Sequence, residues 1–142
     1  TNDKEYTLEG LITQKNENDE TETESKFKII ENDNNYVLVS EEVEQEMNEY
    51  EHEYKYIVVN NGKKINEVEL EIENENNETS IEVREISKDR KLSYKFKKIE
   101  EKGSKFFKIE VKNGTEITKI KVRAILDVNT NTYKYEYKYI KE

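Results

Sequence analysis

The sequence predicts an all-β protein made of one long antiparallel meander. Apolar and polar residues alternate with a period of two over most of the chain, and short turn sequences interrupt this alternation. When neighbouring segments are paired across those turns, their apolar residues fall on the same side. That side must be covered, so we expect the meander to close into an up-and-down barrel or to fold over as a β-sandwich.

Ten segments have the period-two pattern of a strand. One further segment, SEEVEQEMNEYEHEY, favours a short helix near 41–50, since Ser40 is a suitable N-cap and Val43 and Met47 would share a helix face. The polar segment at 14–25 is typical of a mobile loop. The predicted strands lie near 4–14, 24–32, 35–40, 53–60, 64–74, 79–87, 91–100, 105–112, 115–127 and 132–141.

The turn sequences predict the register of the hairpins. Asn113-Gly114 is a strong two-residue turn signal and opposes Phe107 with Ile120. The stretch NNGKK suits a three-residue loop in which Gly62 takes a positive φ. The other predicted pairs are Tyr56 with Val68, Tyr54 with Leu70, Ile72 with Ile81, Leu70 with Val83, Tyr94 with Val111 and Phe96 with Ile109.

The last hairpin is predicted to place a row of tyrosines on the apolar side. Tyrosine occupies every second position from Tyr133 to Tyr139, so these rings share one side of a strand. A four-residue loop within DVNTNT would oppose Asp127 with Thr132, and a loop one residue longer or shorter would reverse the sides. The resulting pairs are Leu126 with Tyr133, Ala124 with Tyr135, Val122 with Tyr137 and Ile120 with Tyr139.

These pairings define an apolar face and an opposite polar face rich in Lys and Glu. The least regular join is SKDRK, where Ile86 is out of phase and a β-bulge is expected. In a barrel the tyrosines would line the interior, with hydroxyls that need hydrogen-bond partners. The predicted ligand-lining residues are Tyr54, Tyr56, Tyr94, Tyr133, Tyr135, Tyr137 and Tyr139. The remaining members of the apolar face are Val58, Val68, Leu70, Ile72, Ile81, Val83, Phe96, Phe107, Ile109, Val111, Ile120, Val122, Ala124 and Leu126.

Length and charge favour one acidic domain over 1–142. The chain has 142 residues and a net charge of −9. Residues 1–80 contain seven Lys and Arg against 23 Asp and Glu, or −16, whereas residues 81–142 contain 17 against 10, or +7. A chain this acidic is not expected to bind nucleic acid. We expect the two oppositely charged halves to neutralise each other within the molecule.

Several chemistries lack the residues they require. The chain has no cysteine, which excludes disulfides, thiolate metal sites and cysteine nucleophiles. His52 is the only histidine, and its place in YEHEYKY at a strand start is typical of a surface residue. No phosphate loop or dinucleotide fingerprint occurs. Because Glu is so abundant, a carboxylate pair is expected by chance, and the sequence favours a protein that is not an enzyme.

Calcium is the one candidate cofactor. The loops NENDETE and ENDNN cluster the oxygen ligands that hard cations prefer, although the spacing of an EF-hand is absent. Such loops are also typical of solvated surface, so the prediction is no obligatory cofactor and a weak calcium site. Its candidate ligands are Asp19, Glu20, Glu22, Glu31 and Asp33.

Two functions fit these observations. The first is a non-enzymatic extracellular or cell-surface protein that acts through contacts with other proteins, including self-assembly as a structural subunit. The second is a carrier of a small apolar ligand inside a barrel lined by Tyr and aliphatic residues. No stretch approaches the roughly 18 apolar residues of a membrane-spanning helix. The chain begins at Thr1 without a recognisable secretory signal, as expected of a processed or trimmed form.

Overall fold

The computed structural model describes residues 4–101 and 104–141, and these form one antiparallel sheet. Its ten strands are arranged in chain order, so each strand pairs with the next. No helix occurs in either described range. The all-β antiparallel meander predicted from the sequence is confirmed. The strands are β1 (Thr7–Glu17), β2 (Glu20–Asn32), β3 (Asn35–Gln45), β4 (Glu49–Asn60), β5 (Lys63–Glu75), β6 (Glu78–Ser87), β7 (Lys91–Glu101), β8 (Ser104–Asn113), β9 (Glu116–Asp127) and β10 (Thr132–Lys141).

The sequence prediction of a helix near 41–50 is wrong. Strand β3 continues to Gln45, and β4 begins at Glu49 after a tight turn through Met47. Val39 and Val43 lie on the apolar face with Glu41 between them, and Glu42 and Glu44 lie on the polar face on either side of Val43. The helix signal concealed this strand pattern. Backbone pairing with β2 on one side and β4 on the other outweighs the local helix signals.

The predicted mobile loop at 14–25 is likewise part of the sheet. Strand β1 runs to Glu17 and β2 begins at Glu20, so only Asn18 and Asp19 form the turn. Asn18 has a φ of 51°, a left-handed conformation that Asn tolerates better than most residues. The polar composition of this segment therefore reflects a hairpin that is exposed over residues 14–21 and half-buried over residues 22–25, not a break in the sheet.

The hairpin at Asn61-Gly62 has the predicted register but a different turn. Both turn residues have positive φ, 52° and 70°, as a two-residue type I′ turn requires. Ile65 then has no partner on β4 and forms a bulge, which restores the predicted pairing of Tyr56 with Val68. The three-residue loop predicted here is thus a two-residue turn followed by one extra residue.

Two other joins differ from the predictions. Asn113 pairs with Glu116, so the turn begins at Gly114, and Phe107 lies opposite Val122 and not Ile120. This shift of two residues leaves every side chain on its predicted face. The bulge predicted at SKDRK is absent, since β6 and β7 pair without a shift and Ile86 lies on the polar face. The predicted EKGS loop falls partly on residues 102–103, which lie outside the described ranges, but the pairs on either side of it are as predicted.

The sheet forms a single layer. It is not closed into a barrel, because β1 and β10 are its two edges, and each strand contacts only its neighbours in the sheet. The buried apolar residues are Val59, Leu92 and Ala124 alone among the described side chains. The accessible surface is 10814 Å². A compact 17.0 kDa monomer would expose roughly 7,700 Å².

Candidate interaction surfaces

The apolar face is continuous across the sheet and has no layer over it. Its central row crosses seven strands, with each member directly opposite the next. The rings of Phe96 and Phe107 pack with centroids 6.0 Å apart. Such a face normally lies against a second layer, so this one has the properties of an interaction surface. The central row consists of His52, Ile72, Ile81, Phe96, Ile109, Ile120 and Tyr139.

The four C-terminal tyrosines lie on the apolar face in the predicted register. Tyr133 is opposite Leu126, Tyr135 is opposite Ala124, and the pairing continues to Tyr139. Their exposed fractions are large, from 39% at Tyr133 to 73% at Tyr137. The prediction of their side of the sheet is confirmed, whereas their expected burial is not observed, because no second layer covers β10.

The other predicted lining residues share this face. Tyr54 and Tyr56 lie on β4, and Tyr94 lies on β7 with two strands between them. The structure therefore places all seven tyrosines on one open surface instead of around a cavity. The described residues enclose no apolar interior of the kind that the carrier hypothesis requires.

His52 lies on the apolar face and has an acidic partner. Its Nε2 atom is 2.8 Å from Oε1 of Glu41, and the ring of Tyr50 packs edge-on at 6.4 Å between centroids. The side chain is 24% exposed, which is less than expected for a freely solvated histidine. The pair anchors His52 among apolar neighbours and explains how a polar ring is accommodated there.

The polar face of β2 to β6 contains two cross-strand rows of glutamate. Like charges directly opposite one another destabilise a sheet. Burial and nearby carboxylates, in that order, raise the pKa of Glu42 and of Glu51. A hydrogen bond with Glu73, followed by burial, raises the pKa of Glu71. These glutamate rows comprise Glu22, Glu44, Glu51 and Glu73 in the first, and Glu24, Glu42, Glu53, Glu71 and Glu82 in the second.

A lysine row occupies the polar face at the opposite end of the sheet. It consists of Lys97, Lys108, Lys121 and Lys138, which oppose one another across β7 to β10. Because strand order follows chain order, the charge difference between the two halves of the sequence becomes a separation in space. The expected neutralisation within one molecule is therefore limited to the strands where the two ends meet.

At that meeting point the charges do form pairs. The Nε atom of Arg84 donates to Glu82 at 2.9 Å, and Lys95 contacts the same carboxylate at 3.3 Å. Glu67, which is 5% exposed, contacts Lys55 at 2.7 Å and also contacts Lys64. These two lysines lower the pKa of Glu67 from 4.5 to about 2. The centre of the polar face is thus electrostatically satisfied. Ion pairs also occur toward its ends, as between Lys15 and Glu22 at 3.2 Å and between Lys112 and Glu110 at 3.0 Å, but each end keeps an excess of one sign of charge.

The five predicted calcium ligands do not form one site. Asp19 and Glu20 lie at one end of β2, whereas Glu31 and Asp33 lie at the other, roughly 40 Å away for a strand of this length. Glu31 instead contacts Lys4 at 2.6 Å. The remaining candidate, Glu22, is brought close to two carboxylates that the sequence analysis did not select.

Glu22, Glu42 and Glu44 have carboxylate oxygens within 4.8 Å of one another. Glu22 also lies 3.2 Å from Lys15, which neutralises part of the cluster. The prediction missed the two partners because it placed 41–50 in a helix. The alternation Glu42-Val43-Glu44 could have identified these two partners, because in a strand it puts Glu42 and Glu44 on the same side.

The fold and surfaces define a single-layer antiparallel β protein with one apolar face and one face of separated charge. Comparison of the chain with protein families, with curated proteins and with solved structures finds no match to any of them. Within the described ranges, no helix has the length and apolar character needed to cross a membrane.

Proposed function

We propose that this is a non-enzymatic structural protein of the cell surface or extracellular space that acts by associating with further copies of itself. The observation that supports this function is the uncovered apolar face. Hydrophobic side chains on a sheet gain most of their stabilisation when a second layer removes them from water. A second copy supplies that layer, with its own apolar face turned toward the first.

The exposed area supports a second copy as the occupant. The chain exposes 10814 Å², which is about 3,000 Å² more than a compact monomer of this mass would expose. Permanent homodimers bury about 2,000 to 5,000 Å² in total, or about 1,000 to 2,500 Å² per copy, and the excess on one copy is sufficient for this. The apolar face also has fewer charges than the polar face, although Glu41, Glu85, Lys98 and Lys105 lie on it. Two copies therefore meet there with less charge to remove from water than at the polar face.

Sedimentation and light scattering across a concentration series test this function. We expect the wild type to be dimeric or larger, and Tyr94→Glu to be monomeric, because Tyr94 is 47% exposed near the centre of the apolar face. Lys95→Gln is the matched control, since it changes the charge by the same amount at the adjacent position on the polar face. A wild type that is monomeric at every concentration would refute the proposal.

The location has a separate test. Immunolabelling of intact cells of the native source, before and after permeabilisation, distinguishes a surface protein from an internal one. Equal surface labelling under both conditions is expected. Labelling that appears only after permeabilisation would refute the surface location and leave the self-association untouched.

A further inference from the structure

We propose that copies of this chain also add head to tail, with β10 of one copy pairing with β1 of the next in a continuous antiparallel sheet. This inference rests on the proposed self-association and specifies a second contact, which extends the assembly in one direction. The first contact covers the apolar face, and the second joins the open edges. Together they would produce a two-layer filament.

Both edge strands are suited to pairing with another strand. Strand β1 has 11 residues and β10 has 10, and each pairs with its inner neighbour without a bulge. The sequence contains no proline. Natural sheets usually protect their edges with short strands, bulges or proline, because unpaired backbone groups attract further strands. Neither edge has these three protections, and every residue of β1 is exposed. Lysine on an edge strand is a further protection, and β10 carries Lys134 and Lys138 on its polar face.

Apolar side chains at the two edges are positioned to meet. Leu8 and Ile12 on β1 are 67% and 64% exposed, and Tyr137 and Tyr139 on β10 are 73% and 64% exposed. All four lie on the apolar face. If β10 is placed beside β1 of the next copy with the apolar faces on the same side, these residues become cross-strand neighbours. Aromatic and aliphatic pairs of this kind stabilise a sheet.

Strand direction permits this arrangement. The sheet has an even number of strands, so β1 and β10 run in opposite directions. Moving one copy along the sheet, without turning it over, therefore brings β10 beside β1 as an antiparallel pair. The twist of the sheet continues through the junction, and each copy keeps one edge open for the next. A heterologous contact of this type produces an open filament unless its rotation closes a ring.

Charge favours the head-to-tail contact over a contact between identical edges. The glutamate rows start at β2, next to one edge, and the lysine row ends at Lys138 on the other edge. In the registers that bring Ile12 beside Tyr137 or Leu8 beside Tyr139, Lys138 lies about two strand spacings from Lys26 or Lys28 of the next copy, and Glu22 is farther away. The preference therefore comes from the net charge of the two ends, −16 over residues 1–80 and +7 over residues 81–142. Such charges act over a Debye length of about 10 Å at 0.1 M salt. Joining two β10 edges would instead bring two lysine rows together, and joining two β1 edges would bring together two sets of glutamate rows.

Cysteine cross-linking tests the contact directly, because the chain has no cysteine of its own. One preparation carries Thr13→Cys on β1, and a second of distinguishable mass carries Glu136→Cys on β10. Both positions are exposed on the polar face, away from the contact between apolar faces, and they are neighbours when Ile12 lies beside Tyr137. After mild oxidation we expect a cross-link between the two variants in the mixture and little cross-linking in either variant alone. A second polar-face pair, Glu9→Cys with Lys138→Cys, covers a different register, and a short bismaleimide covers intermediate ones.

The outcomes separate this inference from the proposed function. Cross-links that form within single-variant samples, or a folded and associated protein that forms none with any pair, would overturn head-to-tail addition. If association persists and is still abolished by Tyr94→Glu, the proposed function survives that result. A wild type that sediments as a monomer would refute both. Elongation is also expected to slow by about tenfold between low and high salt, because opposite charges steer the ends together.

Discussion

Glu42 lies within the second glutamate row, with glutamates on both neighbouring strands, and removal of its charge is expected to stabilise the fold. Its carboxylate oxygen lies within 4.8 Å of those of Glu22 and Glu44. Two like charges at that separation repel by about 0.9 kcal/mol in water, and salt near 0.15 M roughly halves this energy. Glu42→Gln removes two such repulsions. The free energy of unfolding at pH 7 is therefore expected to rise by about 1 kcal/mol.

The stabilisation has a defined pH dependence. Because the pKa of Glu42 is raised above 4.5 in the folded chain, the folded state binds its proton more tightly than the unfolded state does. The penalty for its charge is complete above the folded pKa and disappears as the pH falls below about 4.5. Glu42→Gln is therefore expected to exceed the wild type in stability at pH 7 and to match it near pH 4.

Urea denaturation followed by circular dichroism, at concentrations where the chain is monomeric, measures this effect. Salt near 1 M should remove most of the difference, because the Debye length falls to about 3 Å. Glu116→Gln is the control, since Glu116 is exposed and lies opposite Asn113 instead of another acid. A destabilised Glu42→Gln variant, or an equal gain from Glu116→Gln, would refute the like-charge argument. A wild type strongly stabilised by calcium would show that the cluster binds a cation.

Three further predictions follow from particular contacts. Glu67→Gln is expected to lower the free energy of unfolding at pH 7 by about 1 to 2 kcal/mol after solvent screening. In urea denaturation the loss should shrink as the pH falls from 4.5 toward its folded pKa of about 2. Gly62→Ala should cost about 1 kcal/mol, because φ is +70° while the nearest atom is 3.8 Å from the added methyl group. Gly114→Ala should cost about the same, since its φ is +61°. Thermal melts in which both variants are as stable as the wild type would contradict the strain. Phe96→Ala should cost the monomer only about 1 to 2 kcal/mol, less than a buried Phe, since its face is open. A loss of about 4 kcal/mol in urea would contradict that openness.

The register of the sheet was largely predictable from local spacing. Loop length alone placed Tyr135 opposite Ala124, because residue count determines which side chains face each other in a hairpin. At Asn113-Gly114 the same reasoning was wrong by two residues, since either Gly114 or Asn113 can begin the turn. The predicted faces of β8 and β9 were nevertheless correct. Side chains alternate with a period of two, so a shift of two residues leaves each side chain on the same face.

The segment at 41–50 shows where local reasoning failed. Glutamates there match the first turn of a helix as well as the exposed side of a strand, so composition alone does not distinguish the two. Pairing with β2 and β4 decides in favour of the strand. That decision also determines the acidic cluster, because Glu42 and Glu44 meet Glu22 only when all three lie on neighbouring strands.

The sequence by itself determined the antiparallel meander, the order of its strands and the apolar side chains on one face of β4 to β10, but not the strand segments at 14–25 and 41–50. These properties depend on alternation and on short turns, and both are local. Only the tertiary structure decided that the sheet remains a single open layer, with charge separated from end to end. Whether a sheet curls or folds over depends on its twist and on contacts between distant strands. The alternation of apolar and polar residues in the sequence does not predict either property. The row of tyrosines from Tyr133 to Tyr139 therefore lies on the predicted side, but it faces solvent where the prediction expected an interior.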